Sequence, residues 1–342
     1  MRAASTSGSS CTVCTVTYNS AESIPRLLAS LDREPLDIKV IIFDNASIDG
    51  TVDVVRNCTL ESHVKLTVME CRDNVGFPAA CNEMLMRCTS NVVALVNPDI
   101  ELTSGALAHL VEVVTADESV AIAGCRQMTR DGCPQPEAAR SRPRLRRLLL
   151  SSLPHGLFTP LRKWRRRDDG PLYAVRDVEC MSGALMVFRR DVLSEIGYFD
   201  DSVFMYLEDI DFAARVKKAG KRIRYIGTTW VWHESGTSAQ PHKRRLYRLM
   251  PEVWITYICR YGNWLERLAV RPVLVVVATV DALRRLGARR TPRDELAAVS
   301  QAIRFVPSQM PTWSAAAGDN VSQDAVEADP ATEADLHHVA TR

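Results

Sequence analysis

The sequence predicts an α/β fold with a mostly parallel central β-sheet flanked by helices. Apolar runs typical of strands alternate with helical patterns at intervals of about 25 residues over the first third of the chain. Val92–Val96 is an uninterrupted apolar run, as expected of a strand buried on both faces. Polar clusters follow the strands directly, and open α/β sheets bind their ligands at the carboxyl ends of strands. We therefore expect the functional site at that edge of the sheet.

The first half of the chain is predicted to alternate between strands and helices. In order, the predicted elements are a strand at Thr12–Thr17, a helix with apolar positions Ile24, Leu27, Leu28 and Leu31, a strand at Ile38–Phe43, a helix from about Thr51 to Asn57, a strand at Val64–Met69, a helix from about Pro78 to Arg87, the strand Val92–Val96, a helix from about Ser104 to Thr115 and a short strand at Val120–Gly124. No G-x-G-x-x-G follows the first strand, so the usual dinucleotide-binding fingerprint is missing.

The second half is predicted to begin with an irregular loop and to continue into helices. Residues 140–167 contain Pro143, Pro154, Gly156 and Pro160, which favours a long functional loop. After it come a strand over Val178–Phe188 interrupted at Ser182-Gly183-Ala184, a helix carrying Leu207, Ile210 and Ala214, strands at Lys221–Ile226 and Trp230–His233, and a helical pattern from Leu246 to Leu286. From Ala315 onward the chain has little apolar bulk, which predicts disorder.

Composition is that of a soluble globular protein, with one large domain or two ordinary ones. Of 342 residues, 46% are hydrophobic and 25% are charged, and the net charge is +2. Positive and negative charges are nevertheless separated along the sequence. Residues 140–167 carry ten Arg or Lys and no acid, whereas Ala315–Arg342 carries six acids and one Arg. The basic block indicates an anionic partner, with a solvated surface loop as the alternative.

Nothing in the sequence indicates secretion or a membrane span. The first ten residues have no apolar segment, so we expect a disordered N-terminus and a cytoplasmic protein. The longest apolar run, Pro272–Val280, is too short to cross a bilayer. Most of the ten cysteines lie in apolar runs, and Cys11 and Cys14 have no second close pair to complete a zinc site. Buried, reduced thiols are therefore expected.

Asn97-Pro98-Asp99 ends the buried strand Val92–Val96. Because proline cannot donate to a sheet ladder, the strand has to stop there, and the Asp99 carboxylate is left at its carboxyl end. His233 follows a strand-like Trp-Val-Trp run. A hard divalent cation on a diphosphate needs only one or two protein ligands, and Asp99 with His233 are candidates for that role. A turn aspartate and a structural histidine are the alternatives.

Glu208, Asp209 and Asp211 form a second acidic cluster at the start of a predicted helix. Mutual repulsion raises the pKa of a carboxyl in such a cluster, whereas a helix N-terminus favours the charged form. An aspartate tuned in this way and facing a cleft can act as a general base. The alternative is helix capping together with an Asp211–Arg215 pair at i,i+4.

These pieces together resemble the family 2 glycosyltransferases of the GT-A fold, and most of all their bacterial rhamnosyltransferase-like branch. The matching segments, in the order of the family, are Val16-Thr17-Tyr18-Asn19-Ser20, Asp44-Asn45-Ala46-Ser47-Ile48-Asp49-Gly50-Thr51, Asn74-Val75-Gly76-Phe77 with Asn82, Asn97-Pro98-Asp99, Ser182-Gly183-Ala184, Gly197-Tyr198-Phe199-Asp200, Phe204–Asp211 and His233. They cover about residues 11–240. Phe77–Asn82 departs from the Gly-rich helix start of the family, and Asn97 stands where many relatives have Asp.

The resemblance implies a role for each matching residue. Asp209 would be the base that deprotonates the acceptor hydroxyl, supported by Glu208. Asp99 and His233 would bind Mg²⁺ or Mn²⁺ on the diphosphate of the donor, beside Asn97. The residues implied for the nucleoside and the rest of the donor pocket are Thr17, Tyr18, Asn19, Asp44, Asn45, Ser47, Asp49, Arg72, Asn74, Gly76, Asn82 and Gly183.

The resemblance also implies a domain plan. A disordered N-terminus at 1–10 would precede a GT-A catalytic domain at 11–240. Within that domain we expect a nucleotide-sugar half at about 11–125, a basic loop at about 134–172 and an acceptor half at 173–240. A helical C-terminal extension at 241–312 and an acidic disordered tail at 313–342 would follow.

The implied activity is a metal-dependent inverting transfer of a sugar, such as L-rhamnose from dTDP-L-rhamnose, in cell-envelope polysaccharide synthesis. The expected partners are a nucleotide-diphosphate sugar and a glycan or polyprenyl-diphosphate-linked acceptor, without nucleic acid. The Arg-rich regions 140–167 and 244–290 could hold the protein peripherally on the anionic inner face of the membrane. A nucleotidyltransferase would be expected to carry a Gly-rich phosphate loop after the first strand, and a non-catalytic carbohydrate- or partner-binding relative would be expected to lack the acids.

Overall fold

The computed structural model describes residues 10–145, 148, 171–234, 243–287 and 293–304. Three predictions lie wholly or mostly outside these residues: the disordered N-terminus, the greater part of the basic loop and the acidic tail at 313–342. The described residues contain the predicted central sheet, the helices around it and three C-terminal helices.

The strands fall into one large sheet and one small one. They are β1 (Ser10–Thr17), β2 (Asp37–Asn45), β3 (Val64–Cys71), β4 (Val92–Val96), β5 (Ile100–Leu102), β6 (Val120–Met128), β7 (Pro134–Gln135), β8 (Ala139–Arg140), β9 (Val175–Asp177), β10 (Cys180–Met181), β11 (Leu185–Arg189) and β12 (Arg222–His233). The large sheet has the order β3-β2-β1-β4-β11-β6-β12-β5, with β7 on β6 and β9 on β12. β8 and β10 form the small sheet.

The sheet is mostly parallel, as predicted. β1 pairs in parallel with β2 and β4, β2 with β3, and β6 with β12, whereas β11 runs antiparallel between β4 and β6. The parallel strands therefore end at one common edge. Thr17, Asp44, Asn97 and His233 all lie at or just beyond those ends.

The helices cover both faces of the sheet and continue into the C-terminal region. They are α1 (Ile24–Leu31), α2 (Thr51–Arg56), α3 (Phe77–Leu85), α4 (Ala106–Ala116), α5 (Val192–Ile196), α6 (Glu208–Lys218), α7 (Lys243–Tyr261), α8 (Trp264–Gly287) and α9 (Arg293–Arg304), with a 3₁₀ turn at Pro136–Ala138. In α1 the four predicted apolar positions are all fully buried. Two apolar clusters flank the sheet, and every residue of β4 is at most 3% exposed.

The sequence placed two strands where the structure has one. β12 runs without a break from Arg222 to His233, and its pairing with β6 is irregular between Ile226 and Trp230. Gly227 lies in that irregular stretch, where a Cβ would come within 2.5 Å of the Tyr173 backbone. Only glycine fits at this close backbone contact. The residues that separated the two predicted strands are therefore part of one continuous strand.

The first residues of the predicted basic loop, 134–140, contain two short strands and a 3₁₀ turn. β7 pairs with β6, and β8 pairs with β10. These two-residue strands lack the length that hydrophobic periodicity needs, which is why pattern analysis does not detect them.

The C-terminal helices share an apolar cluster with the start of α6. Leu207, directly before α6, is fully buried in this cluster together with Val253 and Ile258 of α7 and Val270 and Leu274 of α8. Among the described helices, none is both long enough and apolar enough to cross a membrane.

Candidate active site

Asp99 and His233 come together at the carboxyl edge of the sheet. The Asn97 backbone N–H donates to the Ala184 carbonyl at 2.8 Å, and a turn closed by the Ile100 N–H on the Asn97 carbonyl follows. His233 pairs with Ile100 across β12 and β5, and its Nε2 lies 3.5 Å from Asp99 Oδ1. Both side chains are about one tenth exposed, at 11% and 8%. The two residues predicted to form a metal corner therefore lie side by side.

Two glutamines that sequence reasoning missed orient the His233 ring. His233 Nδ1 lies 2.9 Å from Gln127 Oε1 and 2.8 Å from Gln135 Oε1, and Gln135 Nε2 donates to the His233 carbonyl at 2.8 Å. Because amide oxygens accept hydrogen bonds, this arrangement suits the tautomer with its proton on Nδ1 and leaves Nε2 as the ring nitrogen toward Asp99. The sequence pattern did not reveal Gln127, because the predicted strand ended at Gly124 whereas β6 continues to Met128.

The chemistry of this corner fits a hard divalent cation on a diphosphate. A carboxylate and an imidazole whose other nitrogen is held by an amide form a common ligand arrangement. Within the described residues, no group of three or more His, Cys, Asp and Glu could hold a metal by itself. A diphosphate and water would supply the remaining ligands, which is the usual way that Mg²⁺ binds.

The loops after β1 and β2 are locked together around Asp44. Asp44 is 3% exposed, and it accepts hydrogen bonds from Thr17 Oγ1 at 2.8 Å, Ser47 Oγ at 2.6 Å and the Ser47 N–H at 2.9 Å. Asn19 adds two links, because its N–H donates to Ser47 Oγ and its side-chain oxygen accepts from the Ile48 N–H. Asp44 thus builds the shape of the predicted nucleoside corner.

The other residues predicted to bind the sugar donor at this corner differ in their exposure to solvent. Asp49 accepts from the Ala21 N–H at 3.0 Å and the Thr51 N–H at 3.1 Å, so it holds the turn into α2. Tyr18 is half-buried, whereas Arg72 and Ile48 are exposed, Ile48 by 92%. The edge of this corner therefore presents side chains to solvent, while its base is closed by hydrogen bonds.

Asn45, Asn74 and Gly76 form the next wall. Asn45 Nδ2 donates to Asn74 Oδ1 at 2.9 Å, and Asn45 Oδ1 accepts from the Val75 N–H at 2.9 Å. Gly76 has φ +90°, and a Cβ on it would lie 2.7 Å from the Phe204 carbonyl oxygen. A side chain is excluded there both by backbone conformation and by this close approach.

Asn82 contacts the protein with both ends of its amide. Its Nδ2 donates to the Phe199 carbonyl, and its Oδ1 accepts from the Phe199 N–H, each at 2.9 Å. The side chain is 7% exposed. Asn82 therefore fixes the segment that precedes the acidic cluster against α3.

Glu208 and Asp209 begin α6 and face the Ser182–Ala184 segment. The Gly183 N–H donates to Asp209 Oδ2 at 3.3 Å, and a Cβ on Gly183 would lie 3.7 Å from Asp209 Cβ. Burial first, and then the charge of Asp209, raises the pKa of Glu208 to about 8. Asp209 Oδ1 and Glu208 Oε2 are buried and have no hydrogen-bond partner among the described residues. A buried oxygen without a partner can accept a hydrogen bond from a ligand, for example from the hydroxyl of a sugar acceptor.

Arg140, which the sequence suggested for an anionic partner, forms an ion pair with Asp209. Its Nη2 donates to Asp209 Oδ2, and this contact, more than any other, raises the pKa of Arg140 above its usual value. The basic run continues with Arg142 and Arg144, which both lie against Glu179. Net charge along the sequence could not reveal these pairs, because the partner acids are far away in the chain.

Asp211 belongs to a separate buried network. It is fully buried and accepts from Arg215 Nε at 2.8 Å, as the i,i+4 spacing suggested, and also from Tyr261 OH at 2.6 Å. Arg260 of α7 lies 3.3 Å from Asp211 and also pairs with Asp200. These contacts engage both carboxylate oxygens, so Asp211 fixes α6 and leaves Asp209 as the candidate base.

The Ser182–Ala184 segment lies between the two acidic corners. Ala184 accepts from the backbone of Asn97, next to the metal corner, and Gly183 donates to Asp209. The Phe77 N–H donates to the Phe204 carbonyl, which ties the wall formed by Gly76 to the loop leading into α6. Three groups of predicted residues are thus joined around one edge of the sheet.

Comparison with known proteins gives the same class as this geometry. The family model "Glycosyl transferase family 2" matches residues 12–197, and "Glycosyl transferase family group 2" matches residues 140–287. The fold resembles that of the mannosyltransferase PcManGT from Pyrobaculum calidifontis, solved with GDP-Man and Mn²⁺, at a TM-score of 0.53 and 19% identity over 86% of this chain and 87% of that one.

Curated relatives carry related activities. The N-acetylglucosaminyl-diphospho-decaprenol L-rhamnosyltransferase of Mycobacterium tuberculosis is 26% identical over an alignment of 240 residues that covers 66% of this chain and 76% of that protein. The pre-mycofactocin glycosyltransferase of the same organism is 26% identical over 260 residues, covering 76% of this chain and 47% of that protein. The low-salt glycan biosynthesis hexosyltransferase Agl10 of Haloferax volcanii is 24% identical over 209 residues, covering 59% of this chain and 60% of that protein.

The fold and the site define a glycosyltransferase of the GT-A type. Since the family model spans more than half of the chain, the protein belongs to glycosyl transferase family 2. It is related to the rhamnosyltransferase branch of that family.

Proposed function

We propose that this protein transfers L-rhamnose from dTDP-L-rhamnose to a hydroxyl of a lipid-linked glycan, with inversion at the sugar carbon, during cell-envelope polysaccharide synthesis. The observation that carries this proposal is the separation of two chemical corners by the Ser182–Ala184 segment. Asp99 and His233 lie on one side of it and Asp209 on the other. The similarity to a rhamnosyltransferase acting on a lipid-diphosphate acceptor supports the choice of donor and acceptor.

The metal corner would bind Mg²⁺ or Mn²⁺. Asp99 and the Nε2 atom of His233 are the proposed ligands, and Gln127 and Gln135 would orient the ring. The cation would neutralise the charge that develops on the departing nucleotide diphosphate. Thr17, Tyr18, Asn19, Asp44, Asn45, Ser47, Asp49, Arg72, Asn74, Gly76, Asn82, Asn97 and Gly183 would form or support the donor pocket.

Asp209 would accept the proton of the acceptor hydroxyl. Its Oδ1 atom is the buried oxygen without a partner among the described residues, so the hydroxyl has a defined place to donate. Glu208, with its pKa raised to about 8, would be largely protonated at neutral pH and would add no second charge to the base. One direct displacement is then sufficient, and the enzyme supplies no nucleophile.

A donor panel tests the reaction. Purified full-length protein is mixed with dTDP-rhamnose, UDP-sugars or GDP-sugars and a short-chain lipid-diphosphate GlcNAc acceptor, and release of each nucleotide is measured. We expect the fastest release from dTDP-rhamnose, loss of turnover with EDTA, and its recovery with Mn²⁺ or Mg²⁺. Faster release from another donor would refute the assignment of dTDP-rhamnose, and activity that resists EDTA would refute the metal corner.

Two variants distinguish a role of Asp209 as the general base from a purely structural role. Asp209→Asn removes the proton acceptor, and loss of one general base typically lowers kcat by about 10²- to 10⁴-fold. Asp201→Asn is the matched control, because Asp201 is an exposed aspartate close to the same loop. Normal turnover by Asp209→Asn would show that another group takes the proton.

We further propose that α8 rests on an anionic membrane surface. Leu265, Leu268, Val276, Leu283 and Leu286 are each between 48% and 73% exposed. Their spacing of 3, 7 and 8 residues places them on one face of the helix. Co-sedimentation with vesicles that contain phosphatidylglycerol should exceed that with neutral vesicles, and Leu268→Ser should reduce it. Equal binding to both vesicle types would contradict the role of anionic lipid.

A further inference from the structure

Arg140 is held beside the proposed base by a small sheet. It lies on β8, and its backbone pairs with Cys180 of β10. From there the side chain reaches Asp209, whose own side chain is only 6% exposed, while that of Arg140 is 40% exposed. One end of the guanidinium thus lies against the proposed base, and part of the Arg140 side chain is exposed.

The contact between Arg140 and Asp209 means that proton transfer to Asp209 would leave Arg140 without a countercharge. Arg140 forms an ion pair with the ionised Asp209 carboxylate, which is the described acid that balances its charge. Once Asp209 has taken the proton, Arg140 has lost its countercharge. With Glu208 largely protonated at neutral pH, that carboxyl offers little compensation. A partly buried cation without a partner is costly, so another anion has to be present at that moment.

The guanidinium has donors to spare for such an anion. Only its Nη2 atom contacts Asp209, and its Nε atom is buried without a hydrogen-bond partner among the described residues. A guanidinium offers five N–H donors in a rigid fork, and phosphate oxygens match that fork. Besides Asp209, the guanidinium contacts the Cys180 thiol, and a fork of five donors leaves others for a second ligand.

The surrounding charges also favour an anion. Arg140, Arg142 and Arg144 are three cations on one short segment, and their described acid partners are Asp209 and Glu179. Three positive charges thus face two negative ones, before any ligand binds. The excess lies on the segment 140–144, which contacts Asp209 through Arg140.

We propose that Arg140 binds a phosphate group carried by the acceptor and thereby releases Asp209 for catalysis. The inference rests on the function proposed above. In the step, the acceptor O–H gives its proton to Asp209, and the acceptor oxygen forms a bond to the anomeric carbon. The bond from that carbon to the nucleotide diphosphate breaks, and the diphosphate leaves with the electron pair. An acceptor without phosphate leaves Arg140 on Asp209 and is a poor substrate.

Acceptor discrimination tests the proposal. One acceptor is GlcNAc on a short-chain lipid diphosphate, and the other is the same sugar as a neutral alkyl glycoside. The wild type is expected to prefer the diphosphate acceptor in kcat/KM, and Arg140→Gln to reduce that preference by about tenfold or more, the usual effect of losing a charge-assisted hydrogen bond. Arg87→Gln, which loses a surface pair with Glu83 outside this segment, should keep the preference.

Binding measured without turnover separates this proposal from the proposed function. The diphosphate acceptor and dTDP are each titrated into wild type and Arg140→Gln by isothermal calorimetry. We expect weaker acceptor binding by the variant, by about tenfold, and unchanged dTDP binding. Failure of the wild type to transfer sugar to either acceptor would refute the proposed function, whereas the titrations would still report on Arg140.

Three results would overturn the inference. The first is an equal loss of kcat/KM on both acceptors, which would make Arg140 a support of Asp209 only. The second is weaker binding of dTDP alone, which would assign Arg140 to the phosphates of the donor. The third is an unchanged preference in Arg140→Gln. If that variant does not fold, competition of inorganic pyrophosphate against the acceptor in the wild type replaces it, and absence of competition would be equally decisive.

Discussion

Removal of Arg260 should destabilise the protein strongly, because this residue joins α7 to two carboxylates near the base. Arg260 pairs with Asp200 and with fully buried Asp211, and its own side chain is 8% exposed. Breaking a buried pair costs about 3–5 kcal/mol when the remaining charge has no partner. Here Asp211 keeps Arg215 and Tyr261, so for Arg260→Gln we expect the lower end, about 3 kcal/mol.

Urea unfolding of wild type and Arg260→Gln at pH 7 gives the measurement. Arg87→Gln is the matched control, because Arg87 pairs with Glu83 on the surface of a helix and is 40% exposed. Exposed pairs contribute about 0–1 kcal/mol, so the control should unfold close to the wild type. A difference below about 0.5 kcal/mol between Arg260→Gln and Arg87→Gln would refute the role assigned to the buried network.

The same buried network should affect how the stability of the protein changes at acid pH. Although burial alone would raise it, hydrogen bonds from Ser202 and the charge of Arg260 hold the pKa of Asp200 below its usual value. A carboxyl whose pKa is lowered by folding contributes stability at neutral pH, and that contribution is lost as the pH falls through its folded pKa. The Arg260→Gln variant should therefore show a smaller loss of stability between neutral pH and pH 3 than the wild type.

Three further predictions address single positions. Because folding raises the pKa of Glu208 to about 8, the free energy of unfolding of the wild type should fall as the pH rises from 5 to 8. Urea titrations of Glu208→Gln should show a smaller dependence on pH. The same dependence in wild type and variant would contradict the prediction. Gly76→Ala should cost more than Gly50→Ala, by about 1–3 kcal/mol in thermal unfolding, because both have positive φ but only Gly76 faces a backbone carbonyl within 3 Å of a Cβ. Gln135→Leu should raise the Mn²⁺ concentration for half-maximal activity by about 10- to 100-fold, since the ring of His233 loses a hydrogen bond; equal activation would remove the glutamine from the metal corner.

The sequence was informative wherever a pattern repeats or a motif stays local. Parallel strands, amphipathic α1 and buried β4 follow from periodicity, and the structure confirms them. The i,i+4 pair of Asp211 and Arg215 follows from helical spacing. Most of the cysteines are buried, as their apolar surroundings predicted, among them Cys14 and Cys88 with their sulfur atoms 3.5 Å apart.

Contacts between distant segments could not be predicted. Arg140 lies 69 positions from Asp209, and Gln135 lies 98 positions from His233. No local rule connects such pairs, because their approach depends on which strands become neighbours. The boundary between catalytic domain and helical extension at 240/241 stays a prediction, although Arg260 of α7 contacts Asp200 and Asp211 on the other side of it.

The Ser182–Ala184 segment works as a rigid spacer. Its backbone contacts Asn97 through Ala184 and Asp209 through Gly183, so under the proposed function it would set the distance between the departing diphosphate and the attacking hydroxyl. Loops that read the sugar or the acceptor can change in length or composition without altering that distance. Evolution of new linkages on this scaffold should therefore leave the spacer intact and act on the surrounding loops.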